Sequence, residues 1–213
     1  MEARRRPGGE VQPAPRDLSP LLSSATDQWL TPLPFLAVLV RLGPIILDPC
    51  GNPLSVVPAA CQILLPDDGL TANWPLRGLV FCNPPYGRAL GAWALRLAAH
   101  AAGGGELVAL VPARLDTRWW RALDPLVWCA WSGRLRFLQS SADWLAGERE
   151  ARARAEVGKK RRLERVMPAE VAPGLVEGDA APFPVAVCYH GPRADRFSAV
   201  FGGNGLIYKR VSC

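Results

Sequence analysis

Asn83-Pro84-Pro85-Tyr86 is the group of residues in this chain whose types and order suit a chemical step. An amine conjugated to a ring has a delocalised lone pair and is a poor nucleophile. Acceptors aimed at its two N–H bonds localise that lone pair and favour a tetrahedral, positively charged transition state. The Asn83 side-chain oxygen and the Pro84 carbonyl are candidates for those acceptors. Pro84 and Pro85 fix φ and hold the residues before them extended, which aims that carbonyl in advance. Tyr86 offers a flat face to an extruded base, and stacking of that kind contributes about 1–3 kcal/mol per base. No general base is required, because the product ammonium loses its proton readily. These four residues therefore suit methylation of a planar amine. The plainer alternative is a turn that merely ends a strand; the apolar run before it and Gly87 after it favour the chemical reading.

Such residues need a strand to deliver them, and Leu79-Val80-Phe81-Cys82 is apolar throughout, as a buried strand is. An earlier apolar run, Ile45-Ile46-Leu47, ends on Asp48. Before it, Thr31 reads as an N-cap with Pro32 at the first helical position and Phe35, Leu36, Leu39 and Val40 on one face. Further elements are predicted as a helix from about Leu90 to His100, a strand from Leu107 to Val111, and a helix through Trp119, Trp120 and Leu123 capped by Asp116. Strands near Val127 to Trp131, Leu135 to Leu138 and Val185 to Tyr189 follow, then a hairpin-like stretch through Phe197 to Val200 and Leu206 to Tyr208. The alternation predicts an α/β fold with a mixed, mostly parallel sheet and helices on both faces. In such sheets ligands bind outside the carboxyl ends of the strands, where Asp48 and Asn83 both fall. Trp119 and Trp120 read as core and surface of one helix rather than as substrate contacts, and Arg114, at a strand's carboxyl end, is a candidate substrate contact.

Two segments stand apart. Residues 1–24 are rich in Arg, Pro, Gly and Ser without periodicity and read as a disordered tail, leaving residues 25–213 for one domain. Within that domain residues 144–170 break the rhythm and read as a basic helical insertion. Glu148 to Arg165 holds eight basic and four acidic residues, so it is either a solvated helix or a surface for a polyanion. The whole chain agrees in sign, with a formal charge of +6. Hydrophobic residues at 49% leave enough for a core, and no apolar run is long enough to span a membrane. Arg4 to Arg6 are followed by Pro-Gly-Gly rather than by a secretory h-region. Six cysteines lack any C-x-x-C spacing and point to a reducing cytoplasm; two isolated histidines, His100 and His190, make no metal site.

Taken in order, these pieces resemble the phage-type DNA N6-adenine methyltransferases (Dam-like). The resemblance runs through Trp29-Leu30-Thr31-Pro32, Leu47-Asp48-Pro49-Cys50, Asp68-Gly69-Leu70 with Trp74, and Phe81-Cys82-Asn83-Pro84-Pro85-Tyr86. It continues through Leu110-Val111-Pro112-Ala113, Asp116-Thr117-Arg118-Trp119-Trp120 and Ala181-Pro182-Phe183-Pro184. It implies a Rossmann-like, S-adenosylmethionine-dependent methyltransferase fold and site-specific transfer of a methyl group to a flipped-out adenine in DNA. Trp29, Thr31, Pro32, Asp48, Pro49 and Cys50 would hold S-adenosylmethionine, with Asp67 or Asp68 reaching its adenine. Asn83 to Tyr86 would grip the target base, with Phe183, Arg88 and Arg114 as further substrate contacts. Phage DNA modification and restriction–modification are the settings it suggests.

The chain departs from that pattern in two places. Asn52-Pro53 stands where many methyltransferases carry Gly-x-Gly. No Asp or Glu occurs between Pro49 and Pro66, where an acid often binds the cofactor's ribose; Gln62 or Asp67 is the available substitute. Methylation of an RNA base or of a protein glutamine would use the same amine chemistry. A catalytically silent DNA-binding protein of this fold is the reading from another class. Oligomeric state is left open by the sequence.

Overall fold

The computed structural model describes residues 29–157 and 167–210. The 1–24 tail and the Lys159 to Arg162 part of the basic insertion lie outside those residues.

Continuous apolar runs form the centre. Strands β1 (Ile45–Asp48), β2 (Ala59–Gln62), β3 (Leu79–Cys82), β4 (Glu106–Pro112) and β5 (Val127–Trp131) join β9 (Val185–His190) and β10 (Gly205–Lys209) in one seven-stranded sheet. Its order is β10-β5-β9-β4-β3-β1-β2. The β2, β1, β3 and β4 strands are mutually parallel, while β9 is antiparallel to both β4 and β5, and β10 is antiparallel to β5. Five strands thus run one way and two the other.

Alternation sends Leu79, Phe81, Val108 and Leu110 to one face, where α1 (Leu33–Leu39) and α5 (Ala194–Phe201) cover them with Phe35, Leu39, Phe197 and Phe201. Val80, Cys82, Leu107 and Ala109 point the other way, beneath α2 (Leu90–Ala102) and α3 (Arg118–Leu123). Helices on both faces are therefore present. This architecture fits a methyltransferase fold.

A smaller antiparallel sheet of β6 (Arg136–Ser140), β8 (Leu175–Ala180) and β7 (Glu170–Ala172) stands beside it, joined to α4 (Ser141–Val157). The Leu30 N–H donates to the Leu138 carbonyl at 3.1 Å and the Leu138 N–H donates back at 2.9 Å. That pair ties the segment before α1 to the small sheet.

Four local expectations are corrected. Phe197 to Val200 belongs to a helix, because Phe197, Val200 and Phe201 recur at the i, i+3, i+4 spacing that buries one helical face. The α1 cap is Pro32, not Thr31, whose hydroxyl is engaged elsewhere. Thr117 rather than Asp116 caps α3, its Oγ accepting the Trp120 N–H at 3.3 Å. Val40 is exposed, and Val38 takes its place in the core.

At the amino end of β4, opposite the Asn83 edge, Glu106 is buried and accepts from Arg193 at 2.8 Å through both oxygens. Tyr189 Oη also donates to Glu106, at 2.5 Å, and Arg193 Nη1 reaches the Leu42 carbonyl at 2.7 Å. One network therefore joins β4, β9, α5 and the end of α1. Arg193→Ala should leave the buried carboxylate without its counter-ion and cost about 3 kcal/mol of stability. Urea unfolding measures it; an unchanged midpoint would show that the network contributes nothing.

Candidate active site

The sheet order makes β1 the switch point, since the chain leaves it toward β2 on one side and β3 on the other. Asp48, Gln62 and Asn83 stand at the carboxyl ends of β1, β2 and β3, and Pro112 closes β4 on the same edge. Asn83 sits where β3 delivers it. Its Nδ2 donates to the Trp29 carbonyl at 2.5 Å and to Thr31 Oγ1 at 3.3 Å. A carbonyl can only accept, so these contacts fix which end of the amide faces Trp29. The other end, Asn83 Oδ1, is buried with no hydrogen-bond partner among the described residues. Buried acceptors are rarely left so, which singles this atom out at the carboxyl edge of the sheet.

Asp48 is 3% exposed, and its Oδ1 accepts the Cys50 N–H at 3.0 Å. Burial pushes its carboxyl up to about 6, against the opposing pull of that N–H. Burial likewise pushes the Cys50 and Cys82 thiols up, with Asp48 adding to both, so these cysteines are un-ionised apolar packing. A buried acid held by one backbone N–H is suited to meet a cation.

Below it, the Asp67-Asp68 loop is tied in by Trp74, whose Nε1 donates to the Gly69 carbonyl at 2.8 Å. Gly69 lies so close to the Pro49 backbone that a Cβ would run into the Pro49 carbonyl oxygen. The Asp68 carboxylate turns inward on its own loop and accepts the Leu70 N–H at 2.9 Å. Asp67 and Asp68 are both exposed. Gln62 is paired with Asp48 across the parallel β1·β2 ladder, and its side chain packs over Gly51. The ribose stand-in considered from sequence is therefore at the end of the strand next to β1.

A cleft of about 530 Å³ opens at this edge, lined by Trp29, Tyr86, Gly87, Arg88, Leu90, Pro112, Arg114, Trp119 and Phe183. It brings together Trp29, Tyr86, Arg88, Arg114 and Phe183 from the sequence-stated candidates. Asn83, Pro84 and Asp48 do not line it; Asn83 meets it through Trp29, and Pro84 through the adjoining chain to Tyr86. Phe183 packs edge-on against Trp29 at 6.0 Å and Tyr86 at 5.6 Å, with the Arg114 guanidinium 6.0 Å from its ring centre. Trp119, read from sequence as the core ring of its helix in preference to a substrate contact, lines the cleft instead, and Trp120 is the buried one of the pair. The signal for Trp119 was its place just beyond the carboxyl end of β4.

Tyr86 is less open than a bare stacking face. Its ring is 8% exposed, flanked edge-to-face by Phe137 and Phe183, and its hydroxyl donates to the Leu110 carbonyl at 3.1 Å. Tyr86→Phe keeps the ring and should cost about 1 kcal/mol for the lost hydrogen bond. Tyr86→Ala removes the wall between two phenylalanines and should cost about 3–5 kcal/mol, with a larger fall in turnover. Thermal midpoints and kcat/KM for both variants check this. Equal damage would give the role to the hydroxyl rather than the ring.

The fold and this edge define a class: an α/β protein that fits a methyltransferase fold, with an Asn-Pro-Pro-Tyr turn at the carboxyl end of the strand beside its switch point. The family model described as DNA N-6-adenine-methyltransferase (Dam) matches residues 19–157, more than half of the 213-residue chain. The chain belongs to that DNA adenine methyltransferase family. No curated protein and no solved structure matches it. Among the described residues no His, Cys, Asp or Glu cluster could hold a metal ion, and no helix is long and apolar enough to cross a membrane.

Proposed function

We propose that the protein transfers a methyl group from S-adenosylmethionine to the exocyclic amine of an adenine in DNA, with the base taken out of its stack into the cleft. The observation that carries this reading is the buried, partnerless Asn83 Oδ1 beside an aromatic cleft. The residues present fit the cofactor. Asp48 would pair with its amino group, Trp29, Thr31 and Pro32 would hold its methionine end, and Pro49, Cys50 and the Asp67-Asp68 loop would hold the remainder. Gln62, whose Nε2 already donates to the Val57 carbonyl at 3.1 Å, would offer its Oε1 to the ribose, with Asp67 as the other candidate. When bound, S-adenosylmethionine supplies a methyl group on a sulfonium, which passes to the amine nitrogen as its bond to sulfur breaks.

The chain's own groups do the rest. Asn83 Oδ1 and the Pro84 carbonyl accept the two amine N–H bonds, which concentrates the lone pair on nitrogen and stabilises the cation that develops there. Trp29 and Phe183 wall the base, and Arg88 and Arg114 at the mouth favour a phosphate backbone. The extra proton of the product ammonium leaves to water.

Incubation with methyl-labelled S-adenosylmethionine and separate DNA, RNA and protein pools tests this, followed by nucleoside analysis for N6-methyladenine. Label in the DNA adenine is expected. Label in RNA or glutamine alone would move the substrate, and cofactor binding without transfer to any pool would indicate a silent binding protein.

A further inference from the structure

The lining of the cleft is short of groups that could read a base edge. Among its side chains the polar groups are Arg88, Arg114, two indole N–H groups and the Tyr86 hydroxyl, and the last is committed to Leu110. There is no side-chain amide, carboxylate or small hydroxyl. What the mouth does offer is a flat ring and two cations.

Trp119, in the first turn of α3, is half-buried and held at a set angle. Trp120 meets it edge-on at 5.9 Å. Trp120 is itself fixed, its N–H on the Thr117 cap and its ring edge-on to Trp128 at 5.1 Å. A ring kept in place before binding loses little freedom when a base stacks on it. On the same rim Arg114 and Arg88 are exposed, and neither forms an ion pair among the described residues.

Resting on the DNA reading above, we propose that Trp119 is a substrate-contacting residue that stacks on the base next to the target adenine in the same strand, while Arg88 and Arg114 hold the phosphates on either side. The inner wall of Trp29, Tyr86 and Phe183 is closed by its own edge-to-face contacts around the target. The outer ring at Trp119 then receives the neighbour, which keeps the strand from sliding. Because every base has a π-face, this grip is tolerant of sequence.

The test is a cycle between protein and DNA, using an oligonucleotide whose methylated adenine has been mapped. Trp119→Ala should raise the KM for DNA about thirtyfold, the middle of the range for losing one base stack, with S-adenosylmethionine affinity unchanged. Trp119→Phe should restore most of it, and thermal midpoints of both variants show that the fold is kept. Replacing one flanking nucleotide by an abasic site should cost wild type a similar factor. Trp119→Ala should then lose nothing further on that abasic oligonucleotide, since the two changes remove one contact. If the effects simply multiply at both flanks, or Trp119→Ala binds like wild type, the inference is overturned while the DNA reading stands. Failure of wild type to methylate the intact oligonucleotide would overturn both.

Discussion

Asn83→Ala is expected to lower turnover on the order of 10²–10³-fold, the range for removing one acceptor or donor matched to a transition state, with S-adenosylmethionine binding nearly intact. The deleted oxygen has no ground-state partner among the described residues, so under the proposed function its contribution would be made to the reacting amine. The same side chain has a second task, because its Nδ2 holds the Trp29 carbonyl and Thr31. Asn83→Asp separates the two. It keeps an acceptor oxygen while losing the donor, and it should retain more turnover than Asn83→Ala. Single-turnover rates at saturating cofactor, beside cofactor titrations, give both numbers. If Asp and Ala are equally damaging, the residue acts by positioning Trp29, and the acceptor role falls.

Binding of S-adenosylmethionine should weaken as pH drops below about 6, because Asp48 must be ionised to meet the cofactor's ammonium. Burial raises this carboxyl in the folded protein from 3.8 to about 6. The folded state therefore holds a proton that the unfolded chain has released, and apo-protein stability falls as pH rises from about 4 to 6. The shift corresponds to roughly 3 kcal/mol of unfavourable burial at neutral pH. A bound cation relieves that strain, so binding near pH 6 should release a proton. Calorimetry in buffers of different ionisation enthalpy detects it. Asp48→Ala should lose at least tenfold in affinity, about 1.4 kcal/mol, and Asp48→Asn should lose both the pH dependence and the proton release. Unchanged affinity in Asp48→Ala would remove Asp48 from the cofactor site.

How far these groups could be found without coordinates depended on burial. The central strands β1, β3, β4, β5 and β9 are apolar runs, because a strand buried on both faces has no polar side to show. The Asn-Pro-Pro-Tyr turn was legible because its residue types have a chemical reason to occur together. By contrast β2 carries Ala59, Ala60, Cys61 and Gln62, with Ala60 and Cys61 exposed, and sits at the sheet's edge without a period to detect. Of the small sheet, β6 was anticipated by the Leu135 to Leu138 strand, but β7 and β8 were not, since they mix Glu170, Glu177 and Asp179 with few apolar residues. In α5 the helical spacing of Phe197, Val200 and Phe201 was present, but the aromatic and β-branched content suggested a strand. Trp119 shows a different limit. Its neighbour Trp120 is core and it is not, and which ring faces a cleft depends on how α3 lies against β4.

The place of β9 has a consequence for how this chain reaches its native state during synthesis. This strand is buried along almost its whole length and lies between β4 and β5, which do not pair with each other. Until residues 185–190 leave the ribosome, β4 and β5 each present an unpaired apolar edge, which is a template for intermolecular association. The nascent chain must therefore wait for β9 before the sheet can close, and the separation of Val111 from Ala186 makes that closure slow. A fragment cut at the boundaries of the family match, residues 19–157, would carry the Asn-Pro-Pro-Tyr turn and still lack the strand that joins its two halves. Such a fragment should aggregate, and supplying the remainder as a separate polypeptide during refolding should restore solubility.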